Sequence, residues 1–317
     1  MNELVKLQDN TNGKVEVTIS STPETMISRF FAFLDTSEQT VRTYRYGISQ
    51  FMKYLHEENI SRPTRETILN YKKALIAKGL KPATIALYLS SIRRFFSWSA
   101  SEGLYPNITD GVKSPKQQGG HKRDYLSGSQ IQAILKSTTS KRDYAMISLI
   151  ACTGLRTIEV CRANIGDIHN VGGVWLLDIQ GKGHSSKDAY VKLSEPVLKA
   201  LQEYLSKRGN AKGNEPLFVS ASRRNSGQRL TTRTVSGLCK QAMKKAGYDS
   251  PRLTAHSLRH SAATLSLLAG MELSDVQAFM RHTSISTTMI YAHNVNRLKS
   301  LCESAVTSAI FEERRIA

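Results

Sequence analysis

Apolar side chains recur at helical spacing from about residue 23 onward. Met26, Ile27, Phe30, Phe31 and Phe33–Leu34 make one face. Ahead of them stand Thr22, Pro23 and Glu24, which read as an N-cap, a proline in the first helical position and an acidic first turn. A second helix is predicted across Ser37–Glu57, with Tyr44, Ile48, Phe51, Met52 and Leu55 in near-helical steps. A third runs near Thr64–Lys78. A fourth starts at Lys81–Pro82–Ala83 and continues through Ile85, Leu89, Ile92, Phe95 and Phe96. Four helices with short loops make an all-α unit over residues 23–105. The tail before it, residues 1–22, carries only a weak alternating stretch, KVEVTIS, and reads as disordered or as a small arm.

The pattern breaks at YPNITDGVKSPKQQGGHK, where prolines, glycines and lysines suggest an extended basic linker over 106–122. A second domain is predicted over 123–317. Helices are expected at Ser129–Lys136, Asp143–Thr153, Glu195–Lys207, Thr231–Ala246, Ser257–Ala269, Ser274–Met280 and Ser286–Ala292, with a last one over Asn296–Glu313. Two short strands, Val174–Gln180 and Ala189–Leu193, flank the polar turn GKGHSSKD. The fold class is therefore mainly α with a small β-sheet, in two domains.

Composition sharpens this picture. With 317 residues and 40% hydrophobic side chains, two packed domains are affordable. No apolar run approaches the ~20 residues of a membrane-spanning helix, and the first twenty residues lack a signal-peptide core. A secreted or membrane-embedded protein is not expected. Four cysteines form no CxxC pair and fit no zinc spacing, so they read as free thiols in a reducing compartment. The formal net charge is +18. Residues 1–118 carry +5 of it and residues 119–317 carry +13, so both halves suit a polyanion, and a clamp with two basic faces is a plausible plan. A basic but inert surface is the plainer alternative.

Four short segments hold the candidate chemistry. In TGLRTIE, Arg156 and Glu159 lie three apart and share a face on a helix; a surface ion pair is the bland reading. In HSLRH, His256, Arg259 and His260 fall at i, i+3 and i+4 and would converge around an anion such as phosphate. The competing reading is metal, since His256 and His260 have zinc-helix spacing, but Ser257 stands where the glutamate of a zinc protease would be. In HTSISTTMIYAH, His282, Tyr291 and His293 lie close, and a tyrosine acts as a nucleophile only beside cations or a base. In GKGHSSKD, Lys182 is either an ordinary turn lysine or a mobile proton donor.

Taken in order, these segments resemble the tyrosine recombinase, or phage integrase, family over roughly residues 23–300. The resemblance implies a helical core-binding domain of the SAM-like type joined to a mixed α/β catalytic domain, together forming a two-domain clamp. It implies that Tyr291 attacks a DNA phosphodiester, leaving a 3′-phosphotyrosyl link and a free 5′-hydroxyl. Arg156 and Arg259 would hold the non-bridging oxygens, Lys182 would protonate the leaving oxygen, His256 would assist proton transfer and His282 would hydrogen-bond the phosphate. Glu159 would orient Arg156, and His260 would support the others. No cofactor, ATP or metal is implied, because one phosphodiester is exchanged for another ester. The family plan also implies double-stranded DNA with inverted-repeat core sites, a homo-tetramer on paired sites, exchange of a C-terminal helix between subunits and an accessory directionality factor. A cytoplasmic protein of bacterial or phage origin is expected. The same fold without catalysis, a type IB topoisomerase-like nicking enzyme and a zinc hydrolase are the alternatives. Two features depart from the pattern. Met280–Arg281 stand where relatives often have Leu-Gly, so Arg281 either adds a phosphate contact or faces solvent. The tail is short for an arm-binding domain, which suggests a compact, Xer-like or simple integrase plan.

Overall fold

The computed structural model describes residues 7–8, 16–17, 22–116, 124–181, 186–209, 211–299 and 301–311. The chain divides into two compact units, Met1–Gly120 and His121–Ala317. In the first, two short strands, β1 (Leu7–Gln8) and β2 (Glu16–Val17), pair antiparallel, so the tail forms a small ladder. Helices α1 (Pro23–Phe33), α2 (Glu38–Glu57), α3 (Arg65–Ala77) and α4 (Pro82–Ser101) follow. The side chains of Thr22, Ser37 and Thr64 accept backbone hydrogen bonds at the starts of the first three. Phe51, Tyr71, Leu89, Ile92 and Phe96 fill the centre, and Phe30 sits edge-on against Phe95 beside Trp98. These aromatic positions are the core that helical spacing predicted.

The described part of the 106–122 stretch lies along this unit. Val112 is buried in its core, and Arg93 donates to the Val112 carbonyl at 2.8 Å and to Ser114 Oγ at 3.0 Å. Lys72 donates to the Lys113 carbonyl at 2.8 Å. The basic side chains there thus hold the connecting chain against the helices.

The second unit is built on α5 (Gly128–Ser137), α6 (Lys141–Thr153), α7 (Thr157–Arg162), α8 (Glu195–Leu205) and α9 (Thr232–Lys245), followed by α10 (Ala255–Leu268), α11 (Leu273–Met280), α12 (Ile285–Lys299) and α13 (Cys302–Phe311). Helix α6 is its axis: Ala145–Ala151, apolar except for Ser148, are buried on every side, as a helical stretch that is hydrophobic all round must be. A three-stranded antiparallel sheet runs in the order β3 (Ile168–Val171), β4 (Val174–Ile179), β5 (Ala189–Lys192). Strand β3 was not anticipated. It pairs Val171 with Val174 across Gly172–Gly173, both at positive φ, which is the chemistry of a two-residue hairpin turn. The single helix expected over Asn296–Glu313 is also corrected. Its first part continues α12, and α13 begins afresh at Cys302. Cys161 and Cys239 are buried, Cys152 and Cys302 exposed, and none of the four forms a disulfide. Among the described residues no helix is long and apolar enough to cross a membrane.

Candidate active site

The site begins where α6 ends. Gly154 caps that helix in the left-handed conformation, with φ 61°, where a side chain would be strained. A Cβ at this glycine would also come within 2.9 Å of Met280 Sδ. Leu155 then enters the core, and Arg156 turns extended to become the N-cap of α7. Arg156 and Glu159 therefore meet differently from two residues on one helical face. The Arg156 backbone N–H donates to Glu159 Oε2 at 2.8 Å and its Nη1 donates to Oε1 at 2.8 Å. Glu159 is 1% exposed while Arg156 is half-buried, so the pair is anchored on a buried carboxylate and is not a surface pair.

Helix α10 supplies the next group. Thr254 and Ser257 make a reciprocal cap at its start, and the helix buries Ser257, Leu258, Ser261, Ala262 and Thr264. Arg259 is carried inward on that face and is 5% exposed. Its guanidinium donates to the carbonyls of Gly154 and Met280, tying the α6 end to the α11 end. Burial, and after it the Arg156 charge, lowers its pKa to about 9, and Glu159 opposes the shift. Arg259 thus remains a cation at neutral pH.

HSLRH does not converge as one face. Arg259 points in, His260 is half-buried with its ring edge-on to Tyr291 at 5.0 Å, and His256, in the first turn, is exposed. Among the described residues no group of three His, Cys, Asp or Glu side chains could hold a metal ion.

The turn from α11 to α12 closes the site. Arg281 adopts φ 53° and ψ 49°, the left-handed region, which costs an L-residue about 1–2 kcal/mol. This explains how the turn accommodates a residue where a glycine is usual, and the side chain's burial corrects the reading in which Arg281 faces solvent. Its side chain is only 15% exposed, pairs with Glu159 Oε2 at 3.1 Å and donates to the Gly154 carbonyl at 3.3 Å. Burial lowers its pKa and Glu159 opposes that shift.

His282 follows. Its Nδ1 lies 2.9 Å from the hydroxyl of buried Thr288, a partner within the quoted motif that sequence reasoning left unassigned. Its ring stacks on that of Tyr291, centroids 6.1 Å apart and planes 6° apart. Burial, then the charges of Arg259, Arg156 and Arg281, lower its pKa to about 4, so the ring is neutral at pH 7. Tyr291, in the second turn of α12, is 6% exposed and packs among Ala263, Leu267, Val276, Met280 and Val295. His293 is exposed on the same helix. Lys182 lies outside the described residues; next to it, the Gly181 carbonyl accepts from Arg162 at 2.8 Å.

The neutral ring has a thermodynamic consequence. Between its ordinary pKa of 6.5 and about 4, an unfolded chain holds a proton on His282 that the folded chain does not. Stability from this group is therefore complete above pH 6.5 and falls as pH drops through the window. Urea midpoints at about pH 7 and about pH 5 should show a larger loss for the wild type than for His282→Gln. Equal losses would contradict the neutral assignment.

Residues 124–297, more than half of the chain, match the phage integrase family, and residues 27–103 match its N-terminal SAM-like domain. The chain is 31% identical over 296 residues to tyrosine recombinase XerC of Haemophilus influenzae, covering 89% of this chain and 97% of that protein. It is 29% identical over 286 residues to tyrosine recombinase XerA of Pyrococcus furiosus, covering 88% and 93%. Its fold matches that of the XerH site-specific recombinase bound to a palindromic difH substrate in a post-cleavage complex. There the TM-score is 0.68 and the identity 24%, over 86% of this chain and 80% of that one.

Proposed function

The chain belongs to the phage integrase family and is a tyrosine recombinase, and from that premise we propose how its own residues perform site-specific DNA strand exchange. Tyr291 is the nucleophile. Its phenol attacks a phosphodiester and forms the 3′-phosphotyrosyl bond, and the 5′-oxygen leaves as a hydroxyl. The observation that carries this reading is the convergence of the His260 and His282 rings on Tyr291 beside Arg259. A tyrosine in an ordinary core has no such company.

The charges suit the reaction. Arg156, Arg259 and Arg281 surround the single negative charge of Glu159, a net +2. A phosphodiester brings −1, and its pentacoordinate transition state gathers about −2, so stabilisation grows as the reaction proceeds. Arg156 and Arg259 hold the non-bridging oxygens. In the tautomer this chemistry needs, the Thr288 hydroxyl 2.9 Å away donates to Nδ1, and His282 carries its proton on Nε2 as a neutral donor to the phosphate. Lys182 protonates the leaving 5′-oxygen, and His256, exposed at the start of α10, relays the tyrosine proton. Each exchange replaces one ester by another, so no ATP is consumed. No metal is called for either, because arginines supply the charge. Since Tyr291 is shielded, α12 must shift when DNA docks.

The substrate is double-stranded DNA with inverted-repeat core sites, bound by two basic units and recombined in a homo-tetramer. Exposed Leu301, Val306, Ile310 and Phe311 on and before α13 give an apolar face that a neighbouring subunit can cover, consistent with exchange of the C-terminal helix. An accessory directionality factor and a cytoplasmic setting complete the reading.

The test uses a supercoiled plasmid with two copies of a duplex that the protein selects from a random pool, incubated in EDTA. Deletion or inversion products are expected. Relaxation without recombinants would overturn the recombinase reading in favour of a topoisomerase. Recombination only after adding a divalent metal would overturn the mechanism.

A further inference from the structure

Arg281 is strained, buried and charged at a turn that glycine would fill without cost. Its main-chain N–H already closes the α11 cap on the Ala278 carbonyl, so the turn does not need the guanidinium. Yet the side chain reaches into the arginine cluster, and its Nε is buried with no hydrogen-bond partner among the described residues. Strain and an unmet donor together are the kind of cost retained where function needs the residue.

We propose that Arg281 is a positioning residue for strand cleavage, holding Arg156 ready for phosphate by sharing the charge of Glu159. The proposal rests on the recombinase reading given above. Glu159 Oε1 accepts from Arg156 Nη1 at 2.8 Å, and Oε2 accepts from Arg281 Nη2 at 3.1 Å. One carboxylate is thus divided between two guanidinium groups. The Arg281 carbonyl also accepts from Arg156 Nη2 at 3.2 Å. Arg156 is therefore held by the Arg281 carbonyl on one nitrogen and by Glu159, which Arg281 shares, on the other, so among the described residues it meets the carboxylate through one side-chain nitrogen. Without the Arg281 charge, Glu159 Oε2 would keep only the Arg156 backbone N–H and could turn its second lone pair to another side-chain nitrogen of Arg156, making a bidentate grip. That would draw the guanidinium away from the phosphate and cut the cluster's net charge from +2 to +1. The Arg281 contact to the Gly154 carbonyl, which Arg259 also uses, joins the second arginine to the same frame.

The test compares the full-length wild type, Arg281→Gly and Arg281→Lys on nicked duplexes chosen from a random pool by the wild type. Three quantities are read: duplex affinity, melting temperature and the single-turnover rate of covalent adduct formation. Arg281→Gly should keep its melting temperature, since glycine suits the left-handed turn, and its affinity should be unchanged. Its cleavage rate at saturating DNA should fall roughly 10- to 100-fold. Arg281→Lys, which restores the charge without the fork, should recover to within about tenfold of the wild type. An unchanged rate in Arg281→Gly would overturn the proposal. So would equal losses in both variants that follow the melting temperature, which would leave Arg281 a structural role alone. If the wild type itself formed no adduct, the recombinase reading would fail first and this proposal with it.

Discussion

Tyr291→Phe will bind its duplex as tightly as the wild type and form no covalent adduct. The substitution removes one oxygen and keeps the ring. That ring packs among Ala263, Leu267, Val276, Met280 and Val295 and against the rings of His260 and His282. None of those contacts requires the hydroxyl, so folding and DNA binding should persist. Chemistry should not, because no second nucleophile takes the place of the phenol. The expected loss is at least about 10⁴-fold, the scale on which removal of a covalent nucleophile acts. Gel shift and denaturing gel, run on the same samples, separate binding from cleavage. Adduct formed by the variant at the wild-type rate would remove Tyr291 from its role.

The second large effect is expected at Arg259. Its guanidinium satisfies two carbonyls in the interior, those of Gly154 and Met280. Arg259→Ala takes a buried donor from both, leaving the Gly154 carbonyl only its longer bond to Arg281, and opens a cavity along α10, so it should melt at a lower temperature as well as lose cleavage. Arg259→Lys isolates the chemistry. A lysine keeps the charge but cannot serve two carbonyls and a phosphate from one planar fork. It should retain specific binding and lose about 100- to 1,000-fold in single-turnover cleavage, the usual cost of one oxyanion donor. A lysine variant that cleaves normally would reduce Arg259 to a structural tie.

Much of this site was legible because motif order survives whatever the packing does. Tyr291, Arg156, Arg259 and His282 were each named from spacing and resemblance. Their environments were not, and the reasons are physical. HSLRH suggests three groups on one face, but α10 buries Ser257, Ser261 and Thr264, small polar residues that a hydrophobic pattern assigns to the surface. That inward face takes Arg259 and leaves His256 outside. Arg156 and Glu159 read as a helical pair, whereas Gly154 ends α6 and places Arg156 at a cap. The signal was the glycine, whose left-handed cap breaks the helix there. Arg281 was left open because its burial depends on two segments far apart in sequence, Gly154–Glu159 and the α11 turn. Strand β3 is four residues long with His169 and Asn170 in its middle, too short and polar for alternation to reveal. Val171–Gly172–Gly173–Val174 was the readable clue. Nothing in the sequence marks the break before Cys302, where neither glycine nor proline occurs.

A covalent bond between one tyrosine and one DNA end lies at the centre of this chemistry. The direct measurement is mass spectrometry of the peptide that remains attached to DNA after the wild type is trapped on a nicked duplex in EDTA and digested. The predicted result is a single nucleopeptide, linked through Tyr291 to a 3′-phosphate, with the opposite strand end free as a 5′-hydroxyl. A link through another residue, or to a 5′-phosphate, would contradict the account.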